Sequence, residues 1–129
     1  LLYNYETEYG SIGVTKNVIG KIIVEAVAQF GGKVTISNHK GKLANIASKI
    51  SGADELSYIE ISTGTKGVNV KIYVVIRFGT SISTVTNQLI ETIQKNVKEF
   101  VDIELNSVSV VVAGVISKNI VRRYIEVKR

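Results

Sequence analysis

The chain has no cysteine among its 129 residues, which removes disulfide frameworks, thiolate metal sites and thiol nucleophiles at once. Histidine occurs once, at His39, so the nitrogen and sulfur ligands of a zinc site cannot be assembled. Long apolar runs are missing as well: charged or polar residues interrupt every stretch before the roughly 18 residues that a membrane span needs. Leu1 to Gly10 carries Glu6 and Glu8 and has neither a basic start nor a long apolar centre, so it does not read as a signal peptide. The expectation is a cytoplasmic protein with no direct membrane insertion. Methionine is absent too. A bulky Leu2 would protect an initiator methionine from removal, so the chain is expected to be a trimmed part of a longer one, with any anchor lying outside it.

What is present is a core. Hydrophobic residues make up 45% of the chain, and its length predicts one domain over residues 1–129, with the core in 10–115 and a basic tail in 116–129. An excess of valine, isoleucine and threonine points to substantial sheet. Val68, Val70, Ile72, Val74, Ile76 and Phe78 alternate with Asn69, Lys71, Tyr73, Val75 and Arg77, the period of a strand with one buried face. Gly79 ends it. From Ser81 the period becomes helical, with Ile82, Val85, Leu89, Ile93, Val97 and Phe100 on one stripe. Val108, Val110 and Val112 then return to period two. Ile103 and Leu105 have the opposite parity, which requires a turn or a bulge near Asn106 and Ser107.

The first half repeats the pattern more faintly. Ile12 and Val14 suggest a short strand over Gly10 to Val14, with Thr15 capping a helix that carries Val18, Ile19, Ile22, Ile23, Ala26, Val27 and Phe30 on a broad apolar face. Gly31 and Gly32 close that helix, Lys33 to Ser37 forms a short strand, and Asn38 to Lys42 a turn. Leu43 to Ile50 has helical spacing. Ser57 to Ser62 alternates as a strand and leads through Thr63 to Gly67 into the long strand as an antiparallel hairpin. The predicted fold is α+β: a two-layer sandwich in which two long amphipathic helices cover a mixed sheet, built from two strand-helix-strand halves. In the tail, Ile120, Val121, Tyr124 and Ile125 have helical spacing, so a short docked helix or a frayed end is expected.

No catalytic constellation emerges. His39 sits in the turn, and the carboxylates are scattered, with no EF-hand spacing. The Gly-Gly-Lys of residues 31–33 follows a helix instead of preceding one, which is the wrong end for phosphate. Gly64-Thr65-Lys66-Gly67 matches the G-x-x-G of a KH module, but it leads into a strand and reads as a hairpin turn. The protein is therefore expected to be no enzyme and to use no cofactor or metal. Net charge is +5, concentrated in residues 31–79 and 116–129, which admits an anionic partner. The candidate interaction surface comprises Lys66, Lys71, Tyr73, Val75 and Arg77 along the long strand, with Arg122 and Arg123 in the tail.

Several of these pieces occur together in one known family. Gly10, Ile12, Val14 and Thr15 precede the Val18-Ile19 pair. The valine-rich strand over Val70, Ile72, Val74 and Ile76 ends in Phe78-Gly79. Gln94 and Val97 follow in the helix, and Val108, Val110 and Val112 run to Gly114-Val115. In this order and spacing the chain resembles the alkaline-shock, or envelope-stress-response, proteins of Gram-positive-type bacteria over residues 10–115. That resemblance implies a non-enzymatic interaction protein of envelope homeostasis. It would be abundant in the cytoplasm, self-associating or docked to a membrane-anchored relative, with no catalytic residues to assign. A small RNA-binding module using Lys66, Lys71, Tyr73 and Arg77 is the alternative, with nucleic acid as partner.

Overall fold

The computed structural model describes residues 8–43, 58–117 and 120–129. In chain order these form α1 (Glu8–Ala28), a 3-10 turn (Gly31–Lys33), β1 (Val34–Ser37), β2 (Glu60–Gly64), β3 (Gly67–Arg77), α2 (Ile82–Val101), β4 (Ser107–Ile116) and β5 (Ile120–Lys128). The five strands make one mixed sheet. β3 lies parallel to β4 through the α2 crossover, and β5 closes antiparallel on β4. β1 and β2 both pair antiparallel with β3, taking residues 73–76 and 67–71 in turn. Because β4 occupies the whole of the opposite edge, those two short strands share one edge end to end. The fold is α+β, as the alternating periods predict.

Both helices bury their apolar stripes in one cluster on one face of the sheet. Ile19, Ile23, Ala26 and Val27 of α1 meet Val85, Leu89, Ile90, Ile93 and Val97 of α2 over Val68, Val70, Ile72, Val74 and Ile76 of β3 and the even valines of β4. Each such side chain taken from water contributes about 1.5–3 kcal/mol. The one hydroxyl buried in the α2 stripe, on Thr86, donates to the carbonyl oxygens of Ile82 at 2.8 Å and Ser83 at 3.2 Å, so it costs no unsatisfied group. Ser81 caps α2 by accepting from the Thr84 amide. Asp102 ends α2 in the left-handed conformation at φ 61°, its amide donating to Lys98.

Several sequence expectations are corrected. Residues 10–14 are helical, part of α1, so the first half has no opening strand. Two alternating apolar residues are too few to set a period against a helix already propagating beside them. The tail is a strand, not a helix or a frayed end. β4 needs a partner on its free edge, which the backbone of β5 supplies, and the odd positions Val121, Ile125 and Val127 fit a strand as readily as Ile120, Val121, Tyr124 and Ile125 fit a helix. Phe78 and Phe100, expected inward, are 73% and 72% exposed. β3 ends one residue before Phe78, at Arg77, and Gly79 turns the chain away at φ +91°. Phe100 lies in the last turn of α2, where Val101 and Ile103 take up the core contact instead.

The parity problem resolves as a turn, since β4 starts at Ser107 and the Asn106 amide donates to the Val68 carbonyl at 2.7 Å. Bulges occur further along. β4 shifts register against β3 between Val112 and Gly114, and β5 shifts against β4 at the same level, so two bulges stack across Ala113. Their effect is to add twist to that end of the sheet. The hairpin from β2 to β3 is confirmed, with Gly67 at φ +127° closing a two-residue loop. The helix expected over Leu43 to Ile50 lies outside the described residues apart from Leu43, which forms a single bridge with Ser37.

These assignments predict that Ile72→Ala, at the centre of β3, costs about 2–5 kcal/mol. Phe78→Ser and Phe100→Ser are expected to change stability by no more than about 0.5 kcal/mol each. Urea unfolding followed by circular dichroism checks both; a large loss at either phenylalanine would return it to the core.

Candidate interaction surface

The sheet face away from the helices is read off the strand registers. Across it run Glu60, Lys71, Ser109 and Lys128 in one row, and Ser37, Tyr73, Val111 and Glu126 in the next. Lys71 and Tyr73 stand two residues apart on β3 and share this face. The Lys71 ammonium lies 5.5 Å from the centre of the Tyr73 ring, within the range of a cation–π contact. His39 approaches the same ring edge-on, with centroids 6.3 Å apart and planes at 68°.

His39 is held there by the turn that follows β1. Asn38 Oδ1 accepts from the amides of Lys40 and Lys42, each at 2.9 Å, while the Asn38 amide donates to the Lys42 carbonyl. That Asx-type loop folds back on itself and sets the histidine over the neighbouring strand. The sequence places His39 only in a turn. Its contact with Tyr73 depends on the pairing of Ser37 with Tyr73, which no local pattern reveals.

Lys71 is held above its ordinary pKa of 10.5, first by the charge and hydrogen-bonding of the Tyr73 phenol and then by Glu126; slight desolvation opposes the shift and Glu60 adds to it. The lysine thus feels two carboxylates, Glu60 on the adjacent β2 and Glu126 on β5 beyond β4. Glu126 reaches this position only because the tail is a strand.

The remaining expected members are not brought together. Val75 is 1% exposed and is corrected from surface to buried. Val111 and Ala113, on or beside the same face, are buried as well, outside the helix-side cluster. Lys66 is exposed in the hairpin loop at one end of β3 and Arg77 is exposed at the other, about 36 Å apart along the strand. Arg77 lies against the turn after α1: a Cβ added at Gly32 would stand 3.3 Å from its Nη1. On β5, Arg122 pairs with Gly114 of β4 and Arg123 lies in the bulge.

On the outer side of α2, Glu91, Gln94, Lys95, Lys98, Glu104 and Leu105 line an open depression of about 480 Å³. Lys98 is shared there between Asp102 at 3.6 Å and Glu104 at 3.7 Å; these are exposed pairs of small energetic weight. Among the described residues no three metal-ligating side chains cluster, and no helix is long and apolar enough to cross a membrane.

A raised pKa stabilises the fold fully below the unfolded value and loses that contribution as pH climbs through the folded one. Lys71→Gln is therefore expected to show a deficit constant between about pH 6 and pH 9 that fades only above about pH 10.5. Urea melts over a pH series read this directly. A deficit that vanished towards neutral pH would contradict the arrangement.

Comparison with known proteins finds a family match over most of the chain: residues 4–117 match the model of the alkaline-shock protein family, described as having a cell envelope-related function. No curated protein and no solved structure shows significant similarity to the chain.

Proposed function

The chain belongs to the alkaline-shock protein family, whose function is cell envelope-related, and from that premise we propose that it is a non-enzymatic interaction protein. It works in the cytoplasm, docking through the sheet face that neither described helix covers onto a membrane-anchored partner or a second copy. The observation that carries this reading is the half-exposed Lys71–Tyr73 pair in the middle of that face. A tyrosine whose ring is braced by a histidine and a lysine offers a large contact area at little further cost in side-chain entropy, the property that makes tyrosine a frequent interface anchor. Both helices are spent on the opposite face.

The electrostatics favour a protein over a nucleic acid. Glu60 and Glu126 already offset the charge of Lys71, and the other basic residues are spread along the strand instead of tracking one groove, so few phosphates could be neutralised together. The tail alone would anchor weakly to an anionic surface, at about 1 kcal/mol per basic residue.

A photo-crosslinking amino acid placed at Tyr73 in living cells tests this. The expected outcome is an ultraviolet-dependent adduct identified by mass spectrometry as an envelope-anchored protein or as the chain itself. An adduct to RNA, or no adduct to any macromolecule, would overturn the reading. Co-sedimentation of the purified chain with anionic vesicles at high salt would overturn its partner-dependent membrane clause.

A further inference from the structure

The outer edge of β5 carries a self-complementary pattern. Among the described residues no strand pairs with that edge, and β5 is nine residues long, near the upper end of the usual range for strands. The direction of its backbone groups follows from two observations. Val108 and Arg129 exchange both amide-to-carbonyl bonds, at 3.1 and 3.2 Å. Antiparallel pairs alternate between bonded and unbonded, so Lys128 opposite Ser109 and Glu126 opposite Val111 turn their amides and carbonyls away from β4. At the other end the Ile116 carbonyl accepts from Phe78 on the β3 side. Its β5 partner Ile120, and by the same alternation Arg122, therefore also face the open edge.

An incoming antiparallel strand must bond to those even-numbered residues. A second copy of β5 meets that demand in any register whose two-fold axis passes through a residue. Only the axis through Tyr124, the midpoint of Ile120–Lys128, overlaps all nine residues of both strands. It sets Arg122 opposite Glu126 of the second copy and Val121 opposite Val127 of the second copy, each twice by symmetry. Moving the axis to Ile125 would oppose Arg122 with Lys128 of the second copy, a like-charge pair. Directly opposed residues share a face, and opposite charges there are favourable while like charges are not.

We infer that β5 is the self-association edge of this protein, pairing antiparallel with β5 of a second copy about a two-fold axis at Tyr124 to join two sheets into one. This rests on the reading of the chain as an interaction protein and names one partner and one surface for it. The contact is isologous and closes at a dimer. The axis passes through the β5 bulge, where Arg123 and Tyr124 stand between the pairs Gly114–Arg122 and Val112–Ile125.

Sedimentation velocity of the full chain over a concentration series tests the proposal with Arg122→Glu, Glu126→Arg and the double exchange. Wild type is expected to dimerise. Each single exchange should weaken the dimer by about tenfold or more, since it converts two attractive pairs into two repulsive ones, and the double exchange should restore it. If an exchange unfolds the chain, amide exchange of wild type decides: amides of Ile120, Arg122, Glu126 and Lys128 gain protection as concentration rises, while those of Val121, Ile125 and Val127 are protected throughout. A monomer at every concentration, or a dimer indifferent to the exchanges and without that alternating protection, overturns the proposal. The crosslink at Tyr73 reports on the docking reading separately, because that residue is on β3.

Discussion

The hydrogen bonding of β3 along both edges is the constraint on which the rest of the structure depends. β4 runs the length of one side, and β2 and β1 divide the other between them. A parallel neighbour cannot be reached by a tight turn, so the chain after Arg77 must travel the length of the sheet before it can enter β4. α2 is that return path, and its apolar stripe is what seals Val70, Ile72 and Val74 from water. α1 then packs beside α2 on the same face. Neither α1 nor α2 covers the opposite face, where Lys71 and Tyr73 stand with His39 of the turn after β1 against the tyrosine ring.

The division between legible and hidden features follows from range. β3, α2 and β4 each carry a long uninterrupted period, so alternating or helically spaced apolar residues specified them without reference to anything distant. The start of α1 was lost because Ile12 and Val14 support two periods equally well. β5 was lost because the same apolar positions fit a helix, and only the vacant edge of β4 decides between them. Phe78 and Phe100 had the correct spacing and still ended outside, because an element's period says nothing about where its packing partner stops.

The candidate surface shows the same limit. Lys71, Tyr73 and Arg77 could be put on one face from their parity alone. The bracing of Tyr73 by His39, and the flanking of Lys71 by Glu60 and Glu126, depend on registers with strands that lie far along the chain. Val75 shared the parity of the surface residues but is buried, so parity identified the face and not its exposure. Family membership fits this picture. The residues that carry the resemblance, among them Val70, Ile72, Val74, Val108, Val110 and Val112, are buried in the helix-side cluster, so membership follows the core and the fold.

Native-state amide exchange along β3, measured residue by residue under increasing denaturant, addresses the dependence of the fold on this strand most directly. If β3 organises the sheet, amides from Val70 to Ile76 exchange only through global unfolding, and their free energies converge with that of the whole chain. Exchange of those amides through a smaller opening, with α1 and α2 still protected, would contradict it.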